Sequence, residues 1–170
     1  MEIKKLYDFG EDVREDNWNI ITDVVLGGDS EAQLFNLEER LAFTGELNPG
    51  DVRGFASIRS SEERFQLDDY EGLLVKVRGD GQVYRLCLWN KLGRDVVNYQ
   101  VAFSPEEGKI VTFRLPFEKF TPIYKGEEKP KAPDLSLDNI MSLGFLISDE
   151  QKGDFRLEIM ELSAYRNGKE

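Results

Sequence analysis

The sequence predicts an all-β protein built as an antiparallel β-sandwich, and three observations carry this. Apolar residues recur mostly with period two, the runs are short and separated by Gly, Asp, Asn and Pro, and nothing resembles a long amphipathic helix. Such alternation is what half-buried strands joined by turns require. Regularly spaced short strands without intervening helices also argue against a βαβ architecture.

In chain order, the first alternating runs lie near 3–9, 18–22 and 32–37, the last entered from Gly27-Gly28-Asp29-Ser30. A run near 40–47 closes at Asn48-Pro49-Gly50, and one near 54–60 alternates Ala56 and Ile58 against Ser57 and Arg59. Near 72–79, Leu73, Val75 and Val77 share one face, with Lys76 and Arg78 opposite. Asp80-Gly81 then supplies the positive φ angles of a two-residue hairpin turn, so the run near 82–90 is expected to pair directly with the one before it. In that run Tyr84, Leu86 and Leu88 point to the core, and Val83, Arg85, Cys87 and Trp89 point away. In 97–103, Val97, Tyr99, Val101 and Phe103 oppose Asn98 and Gln100.

Runs near 109–115, 142–148 and 154–165 complete the set. Single helical turns are expected near Glu11–Asn17 and Leu137–Met141, the second capped by Ser136 or Asp138. The stretch 124–136 is polar, carries Pro130 and Pro133, and reads as one long surface loop; the tail 166–170 is expected to fray. With no internal repeat, residues 1–170 are expected to form one domain.

Composition excludes several chemistries. The chain of 170 residues has 33 Asp+Glu against 22 Lys+Arg, a formal charge of −11, one Cys and no His. Without imidazole there is no Ser-His-Asp or Cys-His triad, no histidine proton shuttle and no zinc site of the usual kind. Cys87 alone makes neither an intramolecular disulfide nor a CxxC pair, which fits a reducing compartment. The negative charge repels phosphate backbones and anionic lipid, so no nucleic-acid binding is expected. The N-terminal residues lack a secretory h-region, and the longest apolar run, 140–147, is short and broken by Gly144. No membrane insertion and a cytoplasmic location are therefore expected.

Candidate sites are few. Thr22–Ser30 has adjacent glycines but neither a P-loop lysine nor GxGxxG spacing, and reads as a tight turn; Asp23 and Asp29 remain an oxygen-ligand option for calcium without EF-hand spacing. Carboxylate pairs are too numerous to single one out, and most stand in loops as solvating charge. Strand parity is more informative. If the strands are neighbours, one sheet face carries Arg59, Lys76, Arg78, Arg85, Trp89, Asn98 and Gln100, polar and locally cationic in an acidic protein. A wet face is common in antiparallel sheets. A large aromatic on it is the departure, expected of a platform for a sugar or a partner's side chain.

The ordered segments Trp18–Ser30, Phe43–Leu47, Gly54–Ser60, Asp68–Leu86, Leu115–Gly126 and Ile140–Tyr165 resemble the complex I intermediate-associated protein 30 family over nearly the whole chain. The family pattern has Met where Leu26 stands and Trp within the strand that here holds Ile110–Phe113; both changes keep the position apolar. The resemblance implies a galactose-binding-domain-like jelly roll akin to carbohydrate-binding modules, and non-enzymatic work with no cofactor. Mitochondrial members are assembly factors for respiratory complex I; with no targeting sequence read here, the resemblance implies a bacterial or archaeal member. It brings no catalytic residues. Its recurring positions, among them Asp23, Gly28, Ser30, Gly54, Asp80, Gly81, Tyr84 and Phe117, serve turns and core. The expected function is to hold a protein partner, such as a respiratory-complex subunit, on the polar sheet face. The alternative is a carbohydrate-binding module stacking sugars on exposed aromatics.

Overall fold

The computed structural model describes residues 1–10 and 17–168. The strands are β1 (Glu2–Asp8), β2 (Trp18–Thr22), β3 (Glu31–Leu37), β4 (Arg40–Leu47), β5 (Ala56–Ser60), β6 (Gly72–Arg78), β7 (Tyr84–Trp89), β8 (Asn98–Phe103), β9 (Ile110–Pro116), β10 (Thr121–Tyr124), β11 (Glu127–Glu128), β12 (Ser142–Ile147) and β13 (Gly153–Arg166). They form two antiparallel sheets. The six-stranded sheet runs β3-β4-β13-β6-β9, with β1 also on β13, and the seven-stranded sheet runs β11-β10-β8-β7-β12-β5-β2.

Alternation decides which side of each strand is buried. Leu73, Val75 and Val77 of β6 and Leu157 and Ile159 of β13 face Tyr84, Leu86 and Leu88 of β7 and Leu143, Phe145 and Ile147 of β12, all fully excluded from solvent in one continuous core. At about 1.5–3 kcal/mol for each large apolar side chain removed from water, this layer dominates the folding energy. The fourteen-residue β13 pairs with β6 along one side. Along its other side it pairs first with β4, through Gly153–Ile159, and then with β1, through Glu161–Arg166. Among the described residues no helix is long and apolar enough to cross a membrane.

Three expectations need correction. The Asp80-Gly81 turn is not a hairpin: β6 pairs with β13 and β9, whereas β7 pairs with β12 and β8. Here the chain crosses between sheets, and the Asp80 carboxylate fixes the corner. It accepts from Gln82 N–H (3.1 Å), the Gln82 amide (2.9 Å), the Tyr84 hydroxyl (3.0 Å) and Arg156 N–H (2.8 Å). Leu137–Met141 is not helical, because Ile140 exchanges both backbone hydrogen bonds with Phe65, and the Asn90 side chain holds Ser136 and Asn139. The stretch 124–136 begins as a tight β10–β11 hairpin turned at Lys125-Gly126, both at positive φ. The helical turn expected near Glu11–Asn17 falls largely on 11–16, outside the described residues.

Candidate functional site

The outer face of the seven-stranded sheet gathers five of the seven residues singled out from the sequence. Register places Asn19, Arg59, Gly144, Cys87, Gln100 and Thr121 in one row across six strands. Trp89 stands opposite Ser142 on one side of that row, and Arg85 opposite Leu146 and Ala102 on the other. Asn98 is the outward neighbour of Gln100 on β8, and the Gln100 amide donates to its Oδ1 at 2.7 Å.

Lys76 and Arg78 do not join them. Because the chain changes sheets at Asp80, these two lie on the outer face of the six-stranded sheet, Lys76 opposite Glu161 and Thr112, Arg78 opposite Glu158 and Ile110. Arg78 borders a cavity of about 730 Å³ with Arg40, Arg156 and Glu158. Glu158, only 8% exposed, is paired there by Arg40 at 2.8 Å and Arg156 at 3.3 Å.

The face that carries Trp89 is polar but not bare. The Arg59 guanidinium covers the indole with its centre 4.2 Å from the ring centroid. Its donors go to the Ser142 hydroxyl (2.9 Å) and the Gly93 and Lys91 carbonyls (2.7 and 2.9 Å). Gly144 makes this packing feasible: a Cβ there would collide with the Ile58 carbonyl and sit 3.1 Å from Trp89 Cζ3. Burial lowers the Arg59 pKa from its ordinary value. Arg85 is gripped by Asp149 through two parallel bonds of 3.0 Å, which raise its pKa. Between the two arginines, fully enclosed Cys87 has its thiol pushed up to about 12 by burial, an unreactive setting.

Loops roof part of this face. Arg53, in the β4–β5 connection, donates to the Lys125 carbonyl at the tip of the β10–β11 hairpin, although β12, β7 and β8 separate β5 from β10. The inner side is filled by the core, so this contact passes over the outer face. Lys125 Nζ also lies 4.0 Å from Asp95 in the β7–β8 loop. Gln100, on the same face and hydrogen-bonded to Asn98, is only 7% exposed.

The Thr22–Ser30 segment is the expected tight turn, a single 3-10 turn over Asp23–Leu26. Asp23 is completely buried and accepts from Ser30 N–H (3.0 Å), Ser30 Oγ–H (2.5 Å) and Phe55 N–H (3.1 Å). Gly28 presses against that carboxylate, where any Cβ would overlap it. Asp23 thus works as an acceptor for the chain's own donors. Among the described residues no group of three or more His, Cys, Asp or Glu is arranged to hold a metal ion.

Sequence reasoning missed the Arg53–Lys125 clasp and the Asp149 partner of Arg85. Both join segments distant in sequence, the first linking two loops and the second linking strand β7 to the turn after β12. The one local signal was an Asp–Glu dipeptide at positive φ, Asp149-Glu150, in the turn after β12.

Comparison with known proteins follows the same architecture. The model of the family described as complex I intermediate-associated protein 30 matches residues 7–159. The Caenorhabditis elegans protein named probable complex I intermediate-associated protein 30, mitochondrial, is 29% identical over 103 residues, which cover 58% of this chain and 30% of that protein. The Drosophila melanogaster complex I intermediate-associated protein 30, mitochondrial, is 25% identical, covering 93% of this chain and 61% of its own length. The chain therefore spans less than two thirds of these relatives. In fold it is similar to the family 11 carbohydrate-binding module of the Clostridium thermocellum cellulase Lic26A-Cel5E, with a TM-score of 0.73 at 16% identity over 99% of this chain and 97% of that one. The galactose-binding-like sandwich is thereby confirmed. The cytoplasmic expectation is corrected: the relatives are named as mitochondrial proteins, a location that composition had no means of indicating.

Proposed function

This chain belongs to the complex I intermediate-associated protein 30 family, and from that premise we propose that it is a non-enzymatic binding protein that holds a protein partner, a respiratory-complex subunit in the course of assembly, on the outer face of its seven-stranded sheet. The observation that carries this reading is the Arg59–Trp89 stack flanked by Arg85 and Gln100. Aromatic and arginine side chains held in place before binding lose little freedom when a partner arrives. Arg59, Arg85, Trp89, Asn98 and Gln100 are the proposed contact residues; Lys76 and Arg78 belong to the opposite sheet and are not among them.

The family's relatives are named for association with complex I intermediates, which supports a protein as the ligand. Sugar stacking on Trp89 is the weaker reading. Arg59 occupies one face of the indole and the Gly144 backbone crowds its edge, so a pyranose would have to displace the guanidinium. Co-purification from the native host is expected to retrieve a defined partner, and Arg85→Glu is expected to release it. Retention of the partner by Arg85→Glu and Trp89→Ala alike would refute the assignment of this face. Saturable quenching of tryptophan fluorescence by an oligosaccharide would favour the carbohydrate reading instead.

A further inference from the structure

The turn at Asp23–Leu26 is held far more firmly than its exposed side chains require. Thr22 Oγ1 accepts from Val24 N–H at 3.3 Å, Gly27 closes the turn at φ 96°, and the buried Asp23 carboxylate anchors it from below. Yet this rigid turn presents three consecutive apolar residues to solvent, Val24, Val25 and Leu26, at 57%, 53% and 46% exposure. Ile20 on the adjoining edge strand β2 adds a fourth at 42%. The fold needs Asp23 and Gly28 here; polar side chains at 24–26 would satisfy the same turn. Exposed apolar side chains grouped on a fixed scaffold mark an interaction surface.

The surroundings define its occupant by charge. Ser30 joins the turn to β3 and β4, donating to Asp23 and accepting from Asn48 N–H at 2.8 Å. Immediately beyond Ser30, register places Glu31 opposite Glu46 and Glu46 opposite Asp154, three carboxylates in one row across β3, β4 and β13. None of the three has an ion pair among the described residues. Like charges directly opposite each other in a sheet are destabilising, and a positively charged partner would relieve them. A chain of net charge −11 also repels anionic membranes and nucleic acids from this rim.

We propose that the apolar turn Val24–Leu26 with Ile20, next to the carboxylate row that Glu31 opens at the start of β3 and that continues through Glu46 and Asp154, is a docking surface for a protein segment that carries lysine or arginine beside apolar side chains. It is separate from the Trp89 face and lies at the junction of β2 with β3. The apolar residues supply the adhesion, and the carboxylates select and steer the basic partner.

The test uses a fluorescein-labelled peptide of alternating lysine and leucine, titrated against the whole protein by fluorescence anisotropy, beside a peptide of alternating lysine and serine. The lysine-leucine peptide is expected to bind saturably, and Leu26→Asp and Glu46→Lys are each expected to weaken it roughly tenfold. Trp89→Ala is expected to leave it unchanged, so that failure here and failure of the Trp89 face are read separately. Glu46→Lys also replaces a like-charge pair with an attractive one, so it should lose the peptide while raising Tm at low salt; loss of binding by unfolding is thereby told apart. Undiminished binding by Leu26→Asp, equal binding of the lysine-serine peptide, or stronger binding to phosphatidylserine vesicles than to the peptide would overturn the proposal.

Discussion

Arg59 stacks over Trp89 at 4.2 Å while its donors are spent on Ser142, Lys91 and Gly93. One guanidinium thus fixes an aromatic ring and a loop at once. Arg59→Ala is expected to expose the indole, shifting emission to the red and raising acrylamide quenching. Trp18, the other tryptophan, is 5% exposed, so the change reports on Trp89. The associated loss of stability should be about 1–2 kcal/mol, from the cation–π contact and the hydrogen bonds to a partly buried charge. Arg59→Lys keeps the charge but not the planar fork and is expected to rescue little.

The Arg85–Asp149 pair is well formed but about one third exposed, with side-chain exposures of 26% and 36%. Solvent screening therefore limits it. A double-mutant cycle with Arg85→Ala and Asp149→Ala is expected to give a coupling of about 0.5–1 kcal/mol, shrinking as salt is raised. A coupling above about 3 kcal/mol in urea titrations would show that the pair behaves as buried.

Asp23 makes the opposite case. Asp23→Ala strands two backbone N–H groups and a hydroxyl in the interior and is expected to cost about 3 kcal/mol or more in urea unfolding. Gly28→Ala should be comparably damaging, because its methyl group has no space beside the Asp23 carboxylate. Full stability in either variant would mean that the turn is not anchored as described.

Alkaline pH should unfold the protein in a defined direction. The Cys87 thiol has a folded pKa of about 12 against an ordinary value of 9.0, a raised value caused first by burial. Such a group favours the folded state fully below pH 9, and that contribution declines as pH rises towards 12, because the unfolded thiol ionises first. Tyr7 and Tyr84 are shifted in the same direction by burial. Cys87→Ala is therefore expected to flatten the fall of urea-unfolding stability between pH 9 and 11, and the native thiol should resist a disulfide reagent at pH 8.

The clasp between Arg53 and the β10–β11 hairpin gives a fifth outcome. Arg53→Ala removes the contact with the Lys125 carbonyl and is expected to accelerate amide exchange in the β10–β11 hairpin several-fold with little change in global stability, as local opening requires. If that hairpin exchanges as before, the clasp does not hold it.

Most strands could be read from the chain because short apolar runs stand between turn residues, with clear alternation along β5, β6 and β9. β10 escaped because it has four residues and includes Pro122, and β11 because it is two glutamates. In both, backbone pairing with a neighbour, not side-chain pattern, makes the strand. The core side of β6, β7 and β8 was legible for the same reason as the strands themselves. What parity could not supply was sheet membership. Asp80-Gly81 has the chemistry of a hairpin turn, but the chain crosses between sheets there, with Asp80 accepting from Arg156 of distant β13, and this puts Lys76 and Arg78 on the other sheet. Trp89 was placed on its true face, but the sequence gives no sign that Arg59 lies over it, since that contact joins β5 to β7 across β12.

The pairing of β1 exclusively with the distal part of β13 sets a timetable. β1 has its partner more than 150 residues further along the chain, and β4 and β6 likewise wait for β13. The six-stranded sheet is therefore completed by a late, long-range closure of the kind that makes β-sandwiches slow to form. Until then the edges of β1, β4 and β6 stay open to other chains, so a protein proposed to attend the assembly of others passes its own synthesis in need of protection.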